Sequence, residues 1–256
     1  MTQPRIQQLH QSGAALGQAA VWDGTTWVPA RQAIGVDDPG VFDGIWGATP
    51  LGADLEFDAD TVSLPSGWSW VNQGDSAYEQ MDGVANVYAA SSGGSTTATE
   101  THRMLVRAIP SESAWRAFLH VNGIGGAGEA NVRWGLVMRE SGSGKYLTWC
   151  VTLAGGWPQL QLVEWSATNT LATTLTDLPP ATAGVKYLEI RKDSGSSWRF
   201  FSSDDGIVWT PWWFGYDPAG FTGGAVTFDQ IGFFFGVPDT SSSGGVDASA
   251  EWFRIR

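Results

Sequence analysis

The chain has 256 residues, 43% of them hydrophobic, which is enough for one large β domain and an appendage. With 33 glycines, 15 tryptophans and only 16% charged residues, it favours a turn-rich sandwich or barrel over a helical protein. A net charge of −12 speaks against nucleic acid and anionic membrane surfaces as partners, because both demand clustered Lys and Arg; its plainest role is solubility.

Residues 1–30 are small, polar and Gln-rich, with no basic-then-apolar leader, and no run anywhere is long enough to span a bilayer. They close on Val21-Trp22-Asp23-Gly24-Thr25-Thr26-Trp27-Val28-Pro29, which reads as a hairpin of Val21-Trp22 against Trp27-Val28. So small a unit cannot bury both Trp22 and Trp27, and an isolated hairpin is marginal in water. The main domain or further copies of the chain must cover them, so both are candidate attachment or oligomerisation residues. Residues 31–53 are rich in Gly, Asp and Pro without sustained periodicity and read as a linker.

The β domain is expected from Asp54 to Arg256. Asp54, Glu56, Asp58 and Asp60 alternate with Leu55, Phe57 and Ala59, as an edge strand with a charged outer face does. Leu64–Asn72 carries Trp68 and Trp70 on one face, and Tyr78–Ala89 turns about Asp82-Gly83. Strands follow at His102–Ile109 and at Trp115–Asn122. Gly123-Ile124-Gly125-Gly126-Ala127-Gly128 reads as a flexible turn, having neither the order nor the following helix of a nucleotide loop. VRWGLVMRE and KYLTWCVTL form a hairpin about Ser141–Gly144; the only cysteine, Cys150, sits in the second as a small buried residue. One cysteine allows no disulfide within the chain. Gly155-Gly156-Trp157-Pro158 leads into QLQLVEWS.

Tyr187, Glu189 and Arg191 then alternate with Leu188, Ile190 and Lys192. Turns at Asp193–Ser196 and Ser203–Gly206 join this strand to Trp198–Phe201 and to Ile207-Val208-Trp209, making an antiparallel meander. Further strands are expected at Ile231–Val237 and Ala248–Ile255, with loops at Gly215–Gly224 and Asp239–Gly245 between and before them. No helix is convincing.

Two resemblances add to this. LGQAAVWDGTTWVPA resembles the GQ-x-x-x-W-x-G-x-x-W-x-P segment found repeatedly in phage tail and tail-fibre proteins. That implies an elongated virion part, with a homotrimer as the first expectation. LPSGWSWVNQG, HRMLVRAIP, GLVMRESGSGKYLTW, the meander, IGFFFGV and SAEWFRIR together resemble the concanavalin A-like lectin/glucanase superfamily, and within it the single-domain modules of phage tail and virion proteins. The implied fold is all-β, a two-sheet antiparallel jelly-roll sandwich. Ser202, Asp204, Gly206 and Trp209 resemble the Asp-box S-x-D-x-G-x-T-W with Val208 in place of Thr; that motif is a structural turn, in which the Asp accepts backbone N–H groups and the Trp packs beneath.

The function expected is that of a phage virion structural protein, of a tail fibre, tail tip or similar appendage, whose lectin-like domain binds host-surface polysaccharide. A purely structural decoration or connector module is the alternative. Aromatic faces would stack on sugar C–H groups, and the loop-associated rings Trp157, Trp212, Trp213 and Tyr216 are the candidates. No enzyme is expected, since Glu56-Phe57-Asp58-Ala59-Asp60 comes near the laminarinase-type E-x-D-x-x-E signature but lacks its final Glu, and the paired carboxylates of a glycosidase then fail. His10, His102 and His120 have no metal-ligand spacing, and neither metal nor cofactor is expected.

Overall fold

The computed structural model describes residues 6–7, 20–22, 27–29, 55–56, 63–73, 77–81, 84–89, 101–125, 133–154, 157–167, 170–177, 185–193, 197–206, 208–237 and 246–256. Among the described residues eighteen strands run in order. They are β1 (Ile6–Gln7), β2 (Ala20–Trp22), β3 (Trp27–Pro29), β4 (Leu55–Glu56), β5 (Ser69–Val71) and β6 (Ala77–Met81). Then come β7 (Val84–Ala89), β8 (Thr101–Ala108), β9 (Trp115–Gly125), β10 (Arg133–Arg139), β11 (Tyr146–Ala154) and β12 (Trp157–Ala167). The last are β13 (Thr170–Asp177), β14 (Tyr187–Lys192), β15 (Trp198–Ser203), β16 (Thr210–Tyr216), β17 (Gln230–Val237) and β18 (Val246–Ile255). Among the described residues the only helical piece is one 3-10 turn, Pro218–Gly220, opened by Asp217, whose carboxylate accepts the Ala219 N–H.

The chain divides into two compact units, Met1–Pro50 and Leu51–Ile255. The first holds a small antiparallel sheet in the order β1-β2-β3, in which Val21 faces Val28 and Trp22 faces Trp27. The second is an all-β sandwich of two antiparallel sheets, as expected. One sheet has seven strands, β13-β12-β11-β10-β17-β8-β5. The other has eight, β16-β15-β14-β9-β18-β7-β6 with β4 also paired to β18.

Period-two alternation explains the sandwich. In β11, Leu147, Trp149 and Val151 point inward, while Tyr146, Thr148 and Cys150 point to the other face. In β14, Leu188 and Ile190 point inward and Tyr187, Glu189 and Arg191 outward. The inner faces of both sheets meet in one core containing Leu105, Leu136, Trp149, Leu162, Ile190, Phe200, Phe233 and Phe253. Each such side chain contributes about 1.5–3 kcal/mol by leaving water. Two polar ties cross this core. The Trp149 indole N–H donates to the Phe201 carbonyl at 2.8 Å, and the Tyr216 hydroxyl donates to Glu164 at 2.9 Å.

Two expectations are corrected. The third strand of the meander is Thr210–Tyr216, not Ile207–Trp209: Val208 is exposed and Trp209 lies before the strand. The run from Gly123 to Gly125 is not a turn but the end of β9, whose Gly123, Ile124 and Gly125 pair with Ser249, Ala248 and Asp247. A register shift between Ser249 and Ala250 falls beside Gly123.

Candidate functional site

Strand β16 is the edge of the eight-stranded sheet, and it is irregular twice. Its register against β15 runs Trp198 to Tyr216, Arg199 to Phe214, Phe200 to Trp213 and Phe201 to Pro211. Gly215 and Trp212 are therefore the extra residues of two bulges. A bulge re-aims side chains that strict alternation would send to opposite faces. Gly215 takes φ +72, a left-handed conformation that suits glycine. Trp212 and Trp213 are consecutive, yet both pack half-buried against the core. The Trp212 indole N–H donates to Ser202 Oγ at 2.7 Å. Phe214 stands on the outer face, edge-on to Phe201 at 6.3 Å between ring centres, and is 60% exposed.

Of the glycan candidates, Trp212, Trp213 and Tyr216 fall in a strand rather than in loops, and Trp157 opens β12 with its side chain outside the described residues. Tyr216 is corrected outright. It is buried between the sheets, edge-on to Phe200, with its hydroxyl on Glu164. Burial first, then the hydrogen bond and charge of Glu164, push its phenol pKa up, so it stays neutral and offers no face to a ligand. Trp22 and Trp27 face each other across β2 and β3, and their side chains also lie outside the described residues. Phe214, the most exposed ring of the edge, was missed, because strand alternation alone does not reveal a bulge.

The Asp-box turn is shifted by one residue. Ser203 Oγ accepts the N–H groups of Asp205 and Gly206 at 3.3 and 2.9 Å, and Asp205 accepts the Val208 N–H at 2.9 Å. Asp204, the expected acceptor, is exposed, and Ser202 instead receives Trp212. Gly206 has φ +74 beneath the Tyr187 ring, and Trp209 packs edge-on to Phe118 and Tyr187. This turn delivers the chain into β16, so it positions the aromatic edge.

A second constellation lies on the outer face of the seven-stranded sheet. Met104, Val106, Val137, Tyr146, Cys150, Val163, Trp165 and Phe234 form a buried cluster there. His102 enters it fully buried, its Nδ1 2.5 Å from the Tyr146 hydroxyl and its ring edge-on to Trp165 at 4.1 Å. Trp165 stacks on Tyr146 and donates to Thr148 Oγ1 at 3.1 Å. Arg133 sits over the Trp165 ring and donates to Gln161 at 3.1 Å. Burial drives the His102 pKa down to about 3, so the imidazole is neutral at ordinary pH and shares one proton with the phenol. Burial also pushes the Cys150 thiol up to about 12, which leaves it inert. The signal for this face was present in the sequence as polar alternation, Tyr146-Thr148-Cys150 beside Gln161-Val163-Trp165, but no spacing rule links those strands to His102.

No family model and no curated protein matches the sequence. Solved structures do match. A xylan β-1,4-xylosidase from Bacillus halodurans C-125 aligns with TM-score 0.55 and 16% identity, over 93% of this chain and 46% of that one. A bifunctional GH43-CE protein of Bacteroides eggerthii aligns with TM-score 0.54 and 16% identity, over 93% of this chain and 30% of that one. The CBM2 module of the evolved Dit of Lactobacillus casei BL23 phage J-1 aligns with TM-score 0.51 and 14% identity, over 79% of this chain and 94% of that one. The chain thus spans less than half the length of either of the first two. At such identities the likeness is one of fold, a jelly-roll sandwich. It also corrects the expectation that the chain is not an enzyme. A xylosidase and a bifunctional GH43-CE protein share this fold over nearly all of the chain, and the missing E-x-D-x-x-E glutamate speaks to one chemistry only.

Proposed function

We propose that the chain is a carbohydrate-binding sandwich of a phage tail component, engaging host-surface glycan at the β15–β16 edge. The observation that carries this is the doubly bulged edge strand, which gathers Trp212, Trp213 and Phe214 at one rim of the sheet with Phe214 largely in water. Flat rings at a rim are what the C–H face of a pyranose ring stacks on. The phage assignment draws on the tail-type segment around Trp22 and Trp27 and on the fold shared with the phage J-1 module. In this reading residues 1–30 attach the protein to the particle as a homotrimer, 31–53 link and 54–256 bind. A glycan array with the full-length protein and with Phe214→Ala and Trp213→Ala tests it. Binding that falls with both variants supports the reading, and a wild-type protein that holds no glycan removes it. Light scattering tests the trimer, which a monomer mass would refute.

A further inference from the structure

The outer face of the eight-stranded sheet carries an uneven distribution of charge for so acidic a chain. Only 14 Lys and Arg occur among 256 residues, yet three arginines stand side by side across neighbouring strands. Arg116 of β9 faces Arg191 of β14, and Arg191 faces Arg199 of β15. Like charges directly opposite on adjacent strands are destabilising unless something offsets them. Two carboxylates are set among the three cations. Glu189, fully buried, takes a forked pair of hydrogen bonds from Arg191 at 2.8 and 3.3 Å and lies 3.9 Å from Arg116. Asp193 lies 2.6 Å from the Nε of Arg199.

The three cations differ in what else holds them. Arg191 is accounted for by Glu189 and by the Phe201 ring, over which its guanidinium sits at 4.5 Å. Arg199 is held at Nε alone, and its side chain is 39% exposed. The terminal nitrogens of a guanidinium carry four of its five donors, in a planar fork that matches carboxylate and sulfate. In the same row the next residue is Phe214, paired with Arg199 and 60% exposed. A forked cation and an open ring therefore stand next to each other at the rim of the sheet.

We infer that this rim takes an acidic polysaccharide, a sugar carrying carboxylate or sulfate, with the anion on Arg199 and the pyranose face on Phe214. This rests on the glycan reading above and names its ligand class. The chain's overall negative charge does not forbid it, since exposed charges farther off than about 8–10 Å are screened at ordinary salt. Charge-assisted hydrogen bonds make the anion arm specific, and screening makes it salt-sensitive.

The test is binding of the full chain to polygalacturonate, to dextran sulfate and to neutral dextran, at low and at moderate salt. Polygalacturonate and dextran sulfate separate carboxylate from sulfate. Tighter binding to either polyanion than to dextran, weakening as salt rises, is expected. Arg199→Ala should weaken the polyanion complex about tenfold or more, the value of a hydrogen-bonded charge. Arg199→Lys should recover only part of it, lacking the fork, and the melting temperature of both variants shows that they fold. Polyanion binding no tighter than dextran binding overturns the inference, as does an unchanged complex in folded Arg199→Ala. If neutral glycans bind and polyanions do not, the ligand class fails while the glycan reading stands; if nothing binds, both fail.

Discussion

The two outer faces of the sandwich are built by the same alternation and have opposite fates. On the seven-stranded sheet, Met104, Val137, Tyr146, Trp165 and Phe234 are buried, and His102 is buried with them. On the eight-stranded sheet the outer residues are arginines, Glu189 and aromatic rings, and exposure rises toward the edge until Phe214 is mostly in water. The first face holds its fully buried imidazole and thiol in their neutral forms. The second keeps full charges, because each has an opposite charge or water beside it. The difference separates a region whose changes should cost stability from one whose changes should cost recognition.

The largest effect is expected where the first face has no room at all. Gly232 of β17 faces Val106, and a Cβ there would meet the Leu105 carbonyl oxygen at 1.9 Å. Backbone cannot yield as a side chain can, so Gly232→Ala must spread β8 from β17. A loss of about 3 kcal/mol, the upper end of overpacking, should appear in denaturant unfolding. A variant as stable as the wild type would mean that the two strands are not so close.

His102 offers the next test, through pH. Its pKa falls from 6.5 to about 3 on folding, so above about pH 6.5 the imidazole is neutral in both states and the full stability is present. As pH falls below that value the unfolded chain takes up a proton that the folded chain refuses. Stability is then lost at about 1.4 kcal/mol per pH unit, down toward pH 3. His102→Gln removes the penalty. The gap between wild type and variant should therefore shrink by about 2 kcal/mol from pH 6.5 to pH 5. A gap independent of pH would show His102 to be charged or exposed.

How much of this contrast was legible depends on the element. Alternation placed Leu188 and Ile190 against Glu189 and Arg191, and turn residues placed the bends after Lys192 and Ser203, because both signals are local. The Asp-box frame was one residue out, since Ser202-Ser203 and Asp204-Asp205 are duplicated and only the backbone decides which of each pair turns inward. Tyr216 was read as a loop residue because its partner, Glu164, lies 52 positions away on the other sheet. The His102–Tyr146 contact spans 44 positions and was illegible for the same reason.

Tyr216 supplies the third prediction. Its hydroxyl is a buried donor to the buried Glu164 carboxylate, which also accepts the Thr222 N–H at 2.9 Å. Tyr216→Phe leaves that carboxylate short of one partner, at a cost of about 1.5–3 kcal/mol to stability. Glycan binding by the folded variant should be unchanged, because the ring never reaches the surface. If binding fell while the fold held, Tyr216 would return to the list of ligand contacts.

Phe214→Ala should produce the smallest change in stability and the clearest change in function. The ring is 60% exposed and touches Phe201 by one edge, so its removal uncovers little and stays within about 0.5 kcal/mol. Binding should nevertheless fall, since stacking on a sugar uses the very face that water now covers. The informative quantity is the ratio of the two effects. At Trp212, whose indole N–H holds Ser202, truncation confounds lost stacking with a disturbed β15–β16 edge. At Phe214 the two are separable, because the bulges that present the ring are made by its neighbours, Trp212 and Gly215. A Phe214→Ala protein that melts with the wild type and binds like it would place recognition elsewhere on the sandwich. One that melts with the wild type and fails to bind would tie recognition to this rim.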